Sequence, residues 1–163
     1  MQKVNPLRAR WHLIFLAIAL LVISADQLSK AWIRSNLALG DALFETDFFR
    51  LTNVHNTGAA FGLFRGQSFP LTIISIIGAI FILLYAFLIY RRYPLLDNRL
   101  SRIALGLVLG GTVGNLIDRL QYGYVTDFLD FIVWPAFNVA DSTVTVGVII
   151  FAYSLLFLTK KRC

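Results

Sequence analysis

The chain has 163 residues, of which 58% are hydrophobic and only 15% charged, more apolar surface than one water-soluble core of this length can bury. That excess excludes an ordinary soluble domain. A net charge of +6 invites comparison with nucleic-acid binders, but the bases flank apolar blocks and form no DNA- or RNA-binding pattern, so no nucleic-acid partner is expected.

The apolar residues fall into four blocks of about 17–25 residues, the length that crosses a hydrocarbon core about 30 Å thick. The first runs from about Trp11 to Trp32. Lys3, Arg8 and Arg10 precede it and small Ser24 and Ala25 lie near its end, the layout of a secretory leader. Apolar character resumes at Ala31 and three more blocks follow, so a retained span is expected. Near its outer end Asp26 and Lys30 stand four apart with the acid first, the favourable order for a helical ion pair.

An outer segment of about 33–68 follows, in which Phe49 to Val54 suit a strand and Asn56, Thr57 and Gly58 a turn. The second span covers about 69–90 and the third about 102–120. Gly106, Gly110, Gly111 and Gly114 lower the helix propensity of the third, yet small residues four apart let membrane helices approach closely; close packing, not a broken helix, is expected. Asn115, Asp118 and Arg119 share one side of it.

The second outer segment, about 121–137, is rich in β-branched and aromatic residues, and the fourth span covers about 138–158. The expected fold is an integral membrane protein, mainly α. Four transmembrane helices carry a small extracytoplasmic β-sheet and loop on the outer membrane surface, as a single membrane-embedded domain. Phe48, Phe49, Phe61, Phe64, Phe128, Phe131 and Trp134 are expected at the lipid–water boundary.

Bases cluster in the N-terminal tail, in the middle connection (Arg91, Arg92, Arg99, Arg102) and in the C-terminal tail (Lys160, Lys161, Arg162), which the positive-inside tendency assigns to the cytoplasm. Both termini are then inside, and every acid except Asp97 falls on or near the outer side. At about 1.5 Å per residue, Asp141 lies roughly 28 Å from Lys160, and Asp118 roughly 24 Å from Arg102. Both reach the outer edge of the hydrocarbon, where a carboxylate usually has a partner or a function. Asp141 also suits the N-cap of the fourth helix, and both readings stand at this point.

Two histidines and the single Cys163 supply neither a zinc pattern nor an internal disulfide. There is no G-x-S-x-G, P-loop or dinucleotide fingerprint, and Ser29 and Lys30, being adjacent on a helix, do not face one another. Carboxylate chemistry remains. A small proton-coupled transporter would also place acids in membrane helices, but near the midplane between repeated halves, whereas here they lie at one boundary and no repeat is evident.

The blocks DQLSK at 26–30, NTGAAFGLF at 56–64, GNLIDR at 114–119, VTDF at 125–128 and FNVADS at 137–142 resemble, in order and over nearly the whole chain, the lipoprotein signal peptidase (signal peptidase II) family. The resemblance implies a membrane aspartic endopeptidase of the bacterial cytoplasmic membrane, with its active site near the outer face and no metal or organic cofactor. Its substrate would be a prolipoprotein whose lipobox Cys carries a diacylglyceryl group, cut on the N-terminal side of that Cys. Prolipoprotein and membrane lipid are the expected partners and the expected assembly is a monomer.

Asp127 and Asp141 match the family's catalytic pair. Asp26, Lys30, Asn56, Gly58, Asn115, Asp118, Arg119 and Asn138 are expected to support the site or bind substrate. Depth alone favours Asp118 over Asp127 as the partner of Asp141, while the family pattern favours Asp127; which Asp is base and which acid stays open. The 14 positions from Asp127 to Asp141 are a few fewer than is common in the family, which bears on the shape of the second outer segment. The glycines and phenylalanines of NTGAAFGLF suit a loop that closes over the groove.

Overall fold

A computed structural model describes residues 6–58, 66–88 and 98–158. In hydrocarbon a backbone has to satisfy its N–H and C=O groups internally, and the apolar blocks accordingly fold as helices: α1 (Pro6–Asn36), α2 (Ser68–Phe87), α3 (Arg99–Tyr122) and α4 (Val139–Tyr153), the last running into a π-helical turn, Ser154–Leu158. All four are long and apolar enough to cross a membrane.

Two helix ends depart from the expected spans for local reasons. Helix α1 continues past Trp32 because Ser35 Oγ and Asn36 Nδ2 both donate to the Trp32 carbonyl, at 3.0 and 2.8 Å, satisfying a carbonyl that the helix end would leave bare. Helix α3 starts at Arg99, ahead of the expected 102, because the Asn98 side chain accepts from Ser101 N–H at 3.0 Å, an N-cap. It stops at Gly123, whose φ of +77° is the left-handed conformation that glycine adopts without strain.

Close approach of backbones holds the bundle together, as the glycines lead one to expect, and α3 is unbroken. A Cβ at Gly106 would stand 2.9 Å from the Phe15 carbonyl, and one at Gly110 2.6 Å from Val22 Cβ, so this face of α3 lies directly on α1. Gly111 lies as tightly on the first turn of α4, against the Ala140 carbonyl and 2.7 Å from Thr143 Oγ1, and Gly147 of α4 returns the fit against Val108. Helix α2 joins through Ala79 and Ala86, packed with Phe15, Leu105 and Leu109.

At the end of the bundle where α1 and α3 finish and α4 begins, the chain forms a three-stranded antiparallel sheet, in the order β1 (Ala42–Leu43), β2 (Arg50–Asn56), β3 (Val125–Asp130). Strand β1, at two residues, is too short to show a period in the sequence. Strand β2 reaches Asn56 because the ladder runs on to pair it with Val125. One expected interface aromatic is misplaced: Phe128 is buried against Ile33 and Leu37, since it sits on the face of β3 turned to the end of α1. Phe48, Phe131 and Trp134 are exposed and Phe49 is half-buried. Phe61, Phe64, most of the NTGAAFGLF loop and many of the bases used for orientation lie outside the described residues.

Candidate active site

The first turn of α4 organises the site. Asn138, extended at φ −133° and ψ −174°, accepts the Asp141 N–H on its side-chain oxygen at 3.0 Å, while its own N–H donates to Asp141 Oδ2 at 3.3 Å. This is a capping box. The cap is therefore Asn138 and not Asp141, which occupies the third position of the turn and keeps its other oxygen for a different partner. That oxygen, Oδ1, accepts from Asn115 Nδ2 at 2.8 Å.

Asp127 arrives from β3. Its Oδ1 accepts from Asn138 Nδ2 at 2.7 Å and its Oδ2 from Asn56 Nδ2 at 2.9 Å. Asn56 also accepts the Gly58 N–H at 2.9 Å, so the turn expected at N-T-G and the contact to Asp127 belong to one side chain. Asp127 and Asp141 both line a cavity of about 1040 Å³, together with Asn56, Gly58, Asn115 and Arg119. Val144 and Val146 of α4, Ser75 of α2 and Thr112 of α3 continue its wall toward the membrane interior.

Asp118, which depth favoured, is turned elsewhere. It is fully buried, accepts the Thr126 N–H at 2.9 Å and Gln27 Nε2 at 3.2 Å, and stands 3.4 Å from both Lys30 Nζ and Arg34 Nη1. It does not line the cavity. Depth along a helix fixes height and not direction, and Asp118 faces α1 and the start of β3. By holding Thr126 it anchors the strand at the residue next to Asp127.

Asp26 and Lys30 form the expected ion pair, 2.9 Å apart and wholly buried, and their contacts go further. Asp26 Oδ1 accepts the Ala140 N–H at 2.9 Å, clamping α1 to the first turn of α4. Lys30 Nζ has three N–H donors and three acceptors: Asp26, Asp118 and, at 2.8 Å, Asn115 Oδ1. Buried ions are costly unless each donor and acceptor is matched in this way.

Gln27, Arg34 and Thr126 belong to this network and were not singled out from sequence. Arg34 donates to Thr126 Oγ1 at 3.0 Å and its guanidinium lies 4.6 Å from the centre of the Tyr122 ring. Its spacing four residues after Lys30 was the available signal, since it continues one polar face of α1. Among the described residues, no three His, Cys, Asp or Glu side chains are grouped to hold a metal ion.

Burial, and next the charge of Asp141, push the Asp127 carboxyl up to about 7, against the opposing hydrogen bonds from Asn56 and Asn138. Burial and a neighbouring carboxylate both favour the protonated form of a carboxyl near neutral pH.

Residues 18–157 match the family model described as signal peptidase (SPase) II. A lipoprotein signal peptidase of Dehalococcoides mccartyi (strain CBDB1) is 51% identical over 137 residues, covering 84% of this chain and 85% of that protein. One from Moorella thermoacetica is 48% identical over 143 residues, covering 87% and 92%. A bacterial membrane enzyme solved by the in meso method at 2.3 Å resolution shares the fold with a TM-score of 0.80 and 32% identity, over 91% of each chain. With four membrane-length helices, a three-stranded sheet and this extent of match, the chain belongs to the signal peptidase II family of bacterial multi-pass membrane peptidases.

Proposed function

We propose that this chain is an aspartic endopeptidase that removes the signal peptide from bacterial prolipoproteins once the lipobox Cys carries its diacylglyceryl group, cutting on the N-terminal side of that Cys. One observation carries the reading: carboxylates from two separate elements, Asp127 on β3 and Asp141 on α4, meet on one cavity wall and are held there by the amides of Asn56, Asn115 and Asn138. The relatives' activity as lipoprotein signal peptidases supports the choice of substrate.

In this mechanism the ionised member of the pair takes a proton from a water that attacks the scissile carbonyl. The protonated member donates to the developing oxyanion and then to the leaving amine. The amides keep both carboxyls at fixed positions, so little reorganisation accompanies the proton transfers. Arg119, on the same cavity, offers N–H donors suited to the carbonyls of an extended substrate, Gly58 borders it without a side chain, and the valines of α4 form an apolar wall for its acyl chains. The basic tails support a reading with both termini in the cytoplasm, which would set this cavity near the outer face of the cytoplasmic membrane. The chain acts as a monomer, with no metal or organic cofactor.

The test is cleavage by the purified protein of a prolipoprotein with and without the diacylglyceryl group. A single cut before the modified Cys, unaffected by a chelator, is expected. Equal cutting of the unmodified chain would remove the lipid requirement, and a large loss on chelation would replace the carboxylate mechanism with a metal one.

The pH dependence follows from the position of the shared proton. Because the Asp127 carboxyl is raised to about 7, the pair is singly protonated just below that pH and loses the proton above it. The value of kcat/KM is therefore expected to fall by about tenfold per pH unit on the alkaline side of about pH 7. A profile flat to pH 9 would show that no proton of the pair is needed.

A further inference from the structure

Lys30 does not line the cavity, yet its ammonium reaches Asp141 through one side chain. An ammonium only donates, whereas an amide has one accepting and one donating end. Asn115 Oδ1 accepts from Lys30 Nζ at 2.8 Å and from Asn138 Nδ2 at 3.1 Å, which leaves its Nδ2 to donate to Asp141 Oδ1 at 2.8 Å. Were the amide turned over, its NH2 would face the ammonium and its oxygen the carboxylate, so the cation dictates the orientation.

The two carboxylates also have unlike donors. Asp127 receives two neutral side-chain amides. Asp141 receives a backbone N–H in the first turn of a helix, where the dipole favours negative charge, and an amide whose far end rests on a cation.

We propose, building on the aspartic reading above, that Lys30 is a positioning residue of the cleavage reaction: acting through Asn115, it holds Asp141 as the ionised, water-activating carboxylate and leaves the shared proton on Asp127. The charged groups around Asp141 are Asp127 on β3, Arg119 on α3, and Asp26 and Lys30 on α1. Lys30 is the cation joined to Asp141 by a continuous chain of hydrogen bonds.

The experiment measures pH–rate profiles on lipidated prolipoprotein for Lys30→Met, Asn115→Ser and Asp26→Asn, with folded protein quantified by thermal unfolding in detergent. Lys30→Met and Asn115→Ser are each expected to move the acid limb to higher pH by about one unit and to lower kcat by about 100-fold, the scale of a misplaced reacting group, with KM little changed. Asp26→Asn removes the ion pair and leaves the relay, so its acid limb does not rise. Should Lys30→Met fail to fold, Asn115→Ser alone decides, because it spares the ions around Lys30.

Folded Asn115→Ser or Lys30→Met enzyme with the wild-type acid limb would overturn the proposal, as would a rise in Asp26→Asn equal to theirs. Failure of the aspartic reading itself would look different: Asp141→Asn would keep its activity whatever the limbs did.

Discussion

Asp127→Asn and Asp141→Asn are each expected to lower cleavage of lipidated prolipoprotein by about 10³–10⁴-fold, the range for losing an acid–base group from a unit that works together. Both should remain folded. At Asp141 an amide oxygen can still accept from Asn138 N–H or from Asn115, so the capping box is weakened by about 1 kcal/mol at most, and at Asp127 a neutral group replaces one that burial already disfavours as a charge. Single-turnover rates on enzyme checked for thermal unfolding separate chemistry from folding. Asp118→Asn should instead act mainly on stability, because that carboxylate holds Thr126, Lys30 and Arg34 away from the cavity. If folded Asp118→Asn lost activity and Asp127→Asn kept it, the pair would be Asp118 with Asp141.

Gly111→Ala carries the second large effect, and through packing alone. The added Cβ would run into the Ala140 carbonyl and stand 2.7 Å from Thr143 Oγ1 and 2.8 Å from Val144 Cγ2. Backbone cannot give way as a flexible side chain can, so the first turn of α4 has to move, carrying Asn138 and Asp141 with it. Overpacking of this kind destabilises by about 1–3 kcal/mol, and a displacement near 1 Å at a reacting group costs about 100-fold in rate. Gly78→Ala is the matched comparison, since nothing lies within 4 Å of a Cβ there. Equal melting temperatures and rates for the two variants would mean that the seam between α3 and α4 has slack.

Much of this architecture is written in residue type. The four helices follow from the solvent, because a run such as Val139 to Leu158 has no other way to satisfy its backbone in hydrocarbon. The glycines of α3 forecast contact because a missing side chain in a membrane helix is useful chiefly where another backbone comes close. Direction around a helix axis was harder to read. Asn115, Asp118 and Arg119 share a side of α3 by spacing, yet Asn115 and Arg119 border the cavity while Asp118 faces α1, and that small rotation separates a cavity wall from a structural anchor.

The sheet was the least legible part. A two-residue strand such as β1 has no periodicity, and Phe128 was read as an interface aromatic because nothing in its own segment reveals that the end of α1 covers it. Arg34 escaped for a related reason: its spacing after Lys30 marks a polar face, but its partners Asp118 and Thr126 lie more than 80 residues away, and nothing local names them. Asp141 shows the opposite case. Its neighbour Asn138 is close in sequence, and a cap at this turn was expected, but at Asp141, whereas the structure gives that place to Asn138.

On the proposed aspartic reading, that capping box ties chemistry to the order of a single helical turn. The carboxylate that staples the start of α4 also lines the cavity with Asp127, so on the proposed reading fraying of that one turn would withdraw a reacting group. Warmth or a poorly matched detergent is then expected to lower cleavage before helix content falls. Helix content is accordingly a poor gauge of how much active protein a preparation contains.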